Sequence, residues 1–252
     1  MTIPDAFRQR VSVFLFTGIF FLGTSCHDVF AAMPKALDRS KAIVGIESVN
    51  AVGCSAERTG SLQGNAAALF LNKNVARSVK YLRSGGGVII DRRGIIVTNA
   101  HLVQNAARIS VKLFNGVRLA GKVLRVIPGM DMAFLSIKAP FSLSFVPLAN
   151  SDELVSGTRV YCIGHTLNHT GSLFGGEVSG ILKQPAYRGL RTAFLQVRFG
   201  FHLYSGDSGS PILNQKGALV GLVSGGRREG DMAALAVASN VIRDAYWTIP
   251  KY

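Results

Sequence analysis

The sequence predicts an all-β fold, an antiparallel barrel or sandwich, on the basis of two observations. The chain of 252 residues is 48% hydrophobic and only 17% charged, which excludes an intrinsically disordered protein. Short apolar and β-branched runs recur along it, separated by Gly, Asn and Asp, and this spacing is typical of antiparallel barrels and sandwiches. The runs are residues 42–52, 87–91, 95–99, 109–114, 117–126 and 132–137, then 158–163, 175–182, 192–199, 211–214, 218–224 and 233–238.

Turn sequences connect some of these runs and a longer break divides them. Residues 91–94 (Asp-Arg-Arg-Gly) and 214–217 (Asn-Gln-Lys-Gly) predict hairpin connections in which Gly supplies the positive φ. The break at residues 139–152 separates the runs into an early and a late group. The length allows one large domain or two of about 100 residues, and either is able to bury a core.

Helices are predicted at only two places, and both are short. One follows Ala100-His101, and the other covers about residues 239–247 with Ser239 as its N-cap. Residues 57–83 contain Ala and Leu but also repeated Gly and Asn. We expect them to form a long loop with one or two helical turns.

The N-terminus has the pattern of a secretory signal peptide. Arg8 and Arg10 precede an apolar run at residues 11–22, and a small-residue cleavage site follows. The apolar run is too short to cross about 30 Å of hydrocarbon as a helix. We therefore expect cleavage after Ala31 and a secreted or periplasmic protein without a transmembrane segment. The alternative is a lipoprotein signal centred on Cys26, but the residue three positions before it is Gly where Leu is usual.

The net charge of +14 comes from 28 Lys and Arg against 14 Asp and Glu. Removing residues 1–31 removes two arginines and two aspartates, so the excess belongs to the mature chain. Such a charge suits nucleic acid, an anionic membrane or an acidic surface, but no nucleic-acid-binding motif accompanies it. We expect a solvated basic face and no specific nucleic acid, because the arginines that stand out lie mostly in turns. They are Arg92, Arg93, Arg188, Arg191, Arg227 and Arg228.

Cysteine and histidine usage does not indicate a metal site or a disulfide framework. Cys162 lies in an apolar run, which favours a buried free thiol over a disulfide with Cys54. Together with His165 and His169, Cys162 resembles zinc-ligand spacing, but no fourth ligand follows nearby. We predict no metal and no cofactor.

Three separate motifs carry residues suited to nucleophilic catalysis. Ser208 lies in the turn Gly206-Asp207-Ser208-Gly209, where glycines allow successive N–H groups to point at one position. His101 stands just past an apolar strand, and Asp131 stands at the start of another. A serine nucleophile requires a base, which in turn is held by an acid. Any one of these residues alone is commonly structural, so the prediction depends on their joint occurrence.

The order His101, Asp131, Ser208 and the residues around them resemble the chymotrypsin-like (trypsin-fold) serine peptidases, and within these the bacterial HtrA/Deg-type branch. The resemblance covers about residues 42–248. The stretches that carry it are residues 84–91 (SGGGVIID), 96–103 (IVTNAHLV), 131–135 (DMAFL), 160–164 (VYCIG), 176–181 (GEVSGI), 206–211 (GDSGSP) and 221–226 (GLVSGG).

The resemblance implies a fold of two antiparallel six-stranded β-barrels with the active site in the cleft between them. The barrels would cover about residues 42–140 and 153–240, followed by the helix at 239–247, all within a peptidase domain at 32–252. This division agrees with the break at residues 139–152. The implied function is a secreted serine endopeptidase that acts on protein or peptide substrates.

The resemblance also implies catalytic roles for the three motif residues. Ser208 would be the nucleophile, His101 the general base and then acid, and Asp131 the residue that fixes the imidazole tautomer. The backbone N–H groups of Gly206 and Ser208 would form the oxyanion hole.

Substrate binding is implied for two further segments. Ser224, Gly225 and Gly226 would pair with the substrate backbone. His202, Leu203 and residues 233–236 would line the primary specificity pocket. His202 stands where enzymes that cleave after Lys or Arg have Asp, so the resemblance disfavours basic side chains. A small or apolar preference and an acidic or polar preference remain open.

The sequence departs from the HtrA/Deg pattern at two points. We expect no PDZ domain after the peptidase, and Asp207 stands where that branch commonly has Asn. In trypsin-type zymogens this Asp is paired by a new N-terminus that begins Ile-Val-Gly, and Ile43-Val44-Gly45 occurs in this chain. We expect these three residues to form the first barrel strand instead.

A second class of function fits the same residues: a catalytically inactive trypsin-fold binding module that uses its basic surface to hold an anionic partner. An intact set of His101, Asp131 and Ser208 argues against it. Labelling of Ser208 by a fluorophosphonate would separate the two classes.

The predicted signal peptide fixes where the mature chain begins. N-terminal sequencing of the active protein is expected to begin at Ala32, because the small-residue site ends at Ala31. A sequence beginning at Ile43 would contradict this and would indicate activation by a second cleavage.

Overall fold

The structure is a computed structural model that describes residues 39–50, 82–164, 172–199, 206–226 and 233–250. Within these ranges the chain forms thirteen strands and two α-helices, and no helix is long and apolar enough to cross a membrane. Several positions singled out in the sequence lie outside the described residues. They are the signal sequence, most of residues 57–83, Cys54, His165, His169, His202, Leu203, Arg227 and Arg228.

The first seven strands form one antiparallel sheet in the order β5-β4-β1-β2-β3-β7-β6. They are β1 (Ile43–Asn50), β2 (Leu82–Asp91), β3 (Ile95–Thr98), β4 (Ala106–Lys112), β5 (Arg118–Ala120), β6 (Lys122–Ile127) and β7 (Met132–Ser136). The edge strands β5 and β6 are separated by Gly121 alone, where a Cβ would lie 2.9 Å from the Ile109 side chain. They are the two halves of one bent strand, and counting them together gives the six strands predicted.

The remaining strands form a closed barrel in the order β10-β13-β12-β11-β8-β9. They are β8 (Arg159–Gly164), β9 (Ser172–Tyr187), β10 (Leu190–Phe199), β11 (Pro211–Leu213), β12 (Leu219–Gly226) and β13 (Ala233–Ala238). The helices are α1 (Ala100–Val103), between β3 and β4, and α2 (Ser239–Trp247), after β13. The predicted fold class, all-β with two barrels and a short C-terminal helix, is confirmed.

The core of each barrel is built from the apolar positions of the sequence runs. Ile46 and Phe134 are fully buried in the first, and Leu195 and Phe199 in the second. Each fully buried side chain of this size contributes about 1.5–3 kcal/mol to folding. Cys162 is a free, fully buried thiol, and burial raises its pKa, so it belongs to this core as the sequence predicted.

Two strands extend well beyond the apolar runs that predicted them. β9 covers 16 residues and continues to Tyr187, whereas the apolar run predicted a strand only at 175–182. The extra residues are mostly exposed, yet Lys183 pairs with Ala193 and Tyr187 with Leu190, so backbone pairing in a projecting ribbon replaces burial. β2 begins at Leu82, inside the predicted loop, because Leu82 pairs with Val49 and Arg83 with Ser48 of β1.

The predicted N-cap at Ser239 is wrong. α2 begins at Ser239 itself, and its N-cap is Ala238. The Ser239 hydroxyl donates instead to the carbonyl of Ala149 at 2.8 Å. Ala149 lies in the segment that joins the two barrels, so this hydroxyl fastens the helix to the connecting segment.

α2 also reaches back to the first barrel. The Tyr246 hydroxyl donates to Asp91 Oδ2 at 2.8 Å and accepts from Arg93 Nη2 at 2.6 Å. Its ring lies 6.2 Å from the ring of Phe134. The C-terminal helix therefore bridges from the second barrel to the β2–β3 hairpin of the first.

A backbone contact joins the two barrels beneath the cleft between them. The Gly86 N–H in β2 donates to the Ser208 carbonyl at 2.7 Å, and the Gly86 carbonyl accepts from the Thr98 hydroxyl at 2.7 Å. Gly209 has φ of +80°, and a Cβ there would lie 2.0 Å from the Gly86 oxygen. Only glycine fits at this position, because the backbone of one barrel lies directly against the backbone of the other.

Gly209→Ala is expected to lower the free energy of unfolding by more than about 3 kcal/mol, because the new methyl group overlaps a backbone oxygen. Gly116→Ala is the matched control, since Gly116 also has positive φ but has no atom within 4 Å of the Cβ position. It should cost only about 1–2 kcal/mol. Urea denaturation measures both, and equal losses would show that the close approach is not a constraint.

Candidate active site

Asp131 is placed by a tight turn at the start of β7. A single 3-10 turn at Pro128–Met130 precedes it, and Asp131 has φ of +47° in the left-handed region. Its N–H donates to the Pro128 carbonyl at 3.0 Å, and its own carbonyl accepts from Asn99 Nδ2 at 3.0 Å. Left-handed backbone costs energy for a residue other than glycine, although Asp tolerates it better than most. These bonds hold it there and direct the carboxylate at α1.

His101 lies on α1, directly opposite the Asp131 carboxylate. Its Nδ1 lies 2.9 Å from both carboxylate oxygens, and its backbone N–H donates to Oδ1 at 3.0 Å. A neutral imidazole whose Nδ1 donates has Nε2 as an acceptor. The imidazole is 46% exposed, so it is held on one side and accessible on the other.

The short helix α1 is itself held by two side chains, one from β1 and one from β2. The sequence analysis did not single out either residue. Arg83 at the start of β2 donates to the carbonyls of His101, at 2.5 Å, and Gln104, at 3.3 Å. The buried Ser48 hydroxyl of β1 donates to the Leu102 carbonyl. These carbonyls at a helix end have no partner within the helix, so Arg83 and Ser48 fix the element that carries His101.

Ser224 contributes a contact that the sequence reasoning missed. Its hydroxyl donates to Asp131 Oδ2 at 2.7 Å, although the sequence indicated only that its backbone would bind substrate. The register of β12 against β13 shifts between Val223 and Gly225, and an irregularity of this kind redirects a side chain. No local sequence signal could have found this contact, because the partners are 93 residues apart.

The Asp131 carboxylate is kept ionised by its surroundings. Burial raises its pKa, but the hydrogen bonds from the His101 side chain, the Ser224 hydroxyl and the His101 backbone together lower the pKa by more. The net result is a pKa below the ordinary value for Asp. At neutral pH the group is a carboxylate that orients His101 and accepts a hydrogen bond from its Nδ1.

Ser208 and Gly206 line the same cleft as His101. The cleft has a volume of about 620 Å³, and it is also lined by Arg83, Ser84, Leu102, Gln104 and Asn105. Among the hydrogen bonds of the described residues, none joins the Ser208 hydroxyl to His101. Catalytic hydrogen bonds are commonly long in ligand-free structures and tighten with substrate.

The turn that carries Ser208 is fixed by backbone hydrogen bonds from both barrels. The Ser208 carbonyl accepts from Gly86, and the Gly209 N–H donates to the Val223 carbonyl at 2.8 Å. The Ser210 N–H donates to the Asp207 carbonyl at 3.0 Å. Among the described residues, no hydrogen bond is made by the N–H group of Gly206 or of Ser208.

Residues 224–226 form an open strand edge beside this cleft. On one side Gly225 pairs with Leu235 and Gly226 with Ala234 of β13. On the other side the ladder with β11 reaches only to Leu222, and no further described strand pairs there. Within the described part of the chain, this edge therefore has the unpaired backbone groups with which an added extended peptide pairs.

The structure gives the Ile43-Val44-Gly45 segment a definite position. Ile43, Val44 and Gly45 lie in β1, where Ile43 is fully buried and pairs with Val88, which confirms that they form the first barrel strand. In the described part of the chain no three His, Cys, Asp or Glu residues are grouped so as to hold a metal ion.

Comparison with known proteins gives similar sequences and similar folds. Serine protease HTRA1B of Danio rerio is 31% identical over 154 residues, which are 61% of this chain and 32% of that protein. Periplasmic serine endoprotease DegP of Salmonella typhimurium is 32% identical over 150 residues, 59% of this chain and 31% of that protein. The chain thus spans about a third of the length of these relatives. The structure of the HtrA-type protease AlgW with tripeptide superposes with a TM-score of 0.66 at 18% identity, over 85% of this chain and 62% of that one, which shows a shared fold.

A family profile identifies the chain most directly. The profile described as trypsin-like peptidase domain matches residues 85–222, which is more than half of the chain. This range begins in the glycines of β2 and contains His101, Asp131 and Ser208. The chain belongs to the trypsin-like peptidase domain family.

Proposed function

We propose that the protein is a serine endopeptidase that uses His101, Asp131 and Ser208 to hydrolyse peptide bonds. The observation that carries the proposal is the hydrogen-bonded group of Asp131, His101 and Ser224, which lies at the cleft that Ser208 lines. A purely structural role for His101 does not account for an imidazole that is 46% exposed yet oriented by both oxygens of one carboxylate. The family and the similar serine proteases support the same activity.

In the first half of the reaction Ser208 attacks the substrate carbonyl. The Ser208 Oγ–C bond forms while the hydroxyl proton moves to His101 Nε2. Asp131 stabilises the resulting imidazolium and keeps Nδ1 as the donor. The N–H groups of Gly206 and Ser208 bind the developing oxyanion, which is worth about 2.7–4 kcal/mol per donor in comparable sites. Collapse of the intermediate breaks the C–N bond, and His101 returns the proton to the leaving amine.

In the second half water releases the acyl group. His101 removes a proton from the water as its oxygen attacks the acyl-enzyme carbonyl, and then protonates Ser208 Oγ as it leaves. The cleft is open, so water has access to the ester. The exposed side of the imidazole is the side on which both proton transfers take place.

Substrates would bind as an extra strand on the edge at residues 224–226. An extended peptide there places alternate side chains toward the barrel wall. The described part of that wall, in β13, contains Ala234 and Ala236 next to β12, but both are buried in the barrel core. The small or apolar preference therefore rests on the resemblance, which assigns residues 233–236 to the pocket. His202 and Leu203, which the resemblance also assigns to the pocket, lie outside the described residues.

We also propose export to the periplasm or beyond. The basic and apolar pattern of residues 1–31 supports it, and DegP of Salmonella typhimurium is by its name a periplasmic protein. Such an environment would place the cleft among extracytoplasmic protein substrates.

Ser208→Ala is expected to lower kcat by at least about 10³-fold, because the attacking oxygen is lost. A fluorophosphonate probe should label the unaltered protein at Ser208 and should not label this variant. Ser210→Ala is the matched control: Ser210 is buried two residues away and its hydroxyl has no partner in the described structure, so labelling should persist. Unlabelled Ser208 in folded, unaltered protein would favour the inactive binding module.

Ser224→Ala is expected to lower kcat about tenfold with little change in KM, because Asp131 loses one hydrogen bond worth about 1.4 kcal/mol. The substrate contacts at this position come from the backbone, so binding should persist. Losing that bond raises the pKa of Asp131, so the difference in unfolding free energy between the two proteins should shrink as the pH falls and Asp131 becomes protonated.

Ser179→Ala is the control for the Ser224 experiment. It removes a hydroxyl that donates to the Gln196 carbonyl at 3.2 Å within the second barrel, so kcat and its pH profile should not change. Equal effects of the two substitutions would show that Ser224 acts only through barrel stability.

A further inference from the structure

A second cavity lies at the end of β2 that is remote from the cleft. Its volume is about 350 Å³, and three basic residues and a short apolar and hydroxyl-bearing segment line it. The lining residues are Arg39, Lys41, Arg92, Ser142, Leu143, Ser144 and Phe145. We refer to this cavity as the basic pocket.

The positive charges of the basic pocket are not neutralised by any described carboxylate. None of Arg39, Lys41 and Arg92 forms an ion pair within the described residues. Asp91 is the neighbour of Arg92 in sequence, but Arg93 donates to both of its oxygens, at 2.9 and 2.8 Å, and Tyr246 donates to one of them. Its charge is therefore already engaged, and three cations remain around one cavity.

Two of the three cations are held in place before any ligand binds. The Arg39 guanidinium donates to the Phe145 carbonyl at 3.3 Å, and the Arg92 guanidinium stacks on the Phe145 ring with its carbon 5.4 Å from the centroid. Arginine engaged in this way has less rotamer freedom to lose when it binds an anion. Phe145 thus organises both arginines, one through its carbonyl and one through its ring.

The basic pocket is separate from the catalytic cleft. Ser84, near the start of β2, lines the cleft, whereas Arg92 immediately follows the last residue of the same strand. Eight residues of extended strand place these positions roughly 26 Å apart. A ligand in the basic pocket would therefore not compete with a peptide in the cleft.

We propose that the basic pocket binds a compact divalent oxyanion, a phosphate or sulfate group. Guanidinium groups present paired N–H donors that match the oxygens of such a group, and Lys41 adds a third charge. Ser142 and Ser144 also line the pocket and carry hydroxyls that are neutral donors. The group could be a free ion or the end of a larger phosphorylated molecule, and the chemistry of recognition is the same.

The test is a calorimetric titration of the whole protein with inorganic phosphate, which measures the heat of binding. The ionic strength is kept constant with chloride as the balancing ion. Saturable binding with one site is expected, and a parallel titration with glycerol 3-phosphate distinguishes the sources. Binding of both assigns a pocket that accepts a phosphate monoester, and binding of phosphate alone assigns a free ion. An absence of saturable heat in both titrations overturns the proposal.

Arg92→Gln is expected to weaken phosphate binding about tenfold. Arg188→Gln is the matched control, because Arg188 is also an exposed hairpin arginine stacked on an aromatic ring, that of Tyr187 at 5.6 Å. It removes the same charge and should change binding less than about twofold. Equal weakening by both would show a general effect of net charge and would overturn the proposal. Peptidase activity of Arg92→Gln should be unchanged, so the outcome is independent of the catalytic proposal.

Discussion

The approach of two backbones, at Gly86 in β2 and at Ser208-Gly209 before β11, is the constraint on which the cleft depends. The Gly86 N–H donates to the Ser208 carbonyl, and no Cβ fits between Gly209 and the Gly86 oxygen. This contact fixes the turn that carries the serine against the barrel that carries His101 and Asp131. Glycine is required because any side chain would separate the barrels by more than the reach of a hydrogen bond.

The contact between Ser224 and Asp131 crosses the same boundary in the opposite direction. A hydroxyl of the second barrel stabilises a carboxylate of the first, while the Tyr246 hydroxyl of α2 joins Asp91 and Arg93 of the first barrel. The site is thus assembled from both barrels, and its electrostatics depend on their relative position. Changes that loosen the interface should therefore affect the chemistry before they unfold either barrel.

The arginines that contribute to the large positive charge have two kinds of surroundings in the structure. Arg93 and Arg191 contact carboxylates, the latter bonding both Asp152 and Asp244. Arg92, adjacent to Arg93 in the chain, instead joins Arg39 and Lys41 around the basic pocket. A count of charges treats these arginines alike, whereas their partners are set by which strands and loops surround them.

The sequence by itself determined the all-β class, most strand positions and the C-terminal helix, and it indicated His101, Asp131 and Ser208 as candidate site residues, because these depend on local patterns of apolar, turn and reactive residues. The tertiary structure decided the length of β9, the bend at Gly121, the partner of Ser239 and the bond from Ser224 to Asp131. Each of these joins residues far apart in the chain or depends on pairing without burial. Local sequence does not encode such contacts, since they form only when the barrels have closed and docked.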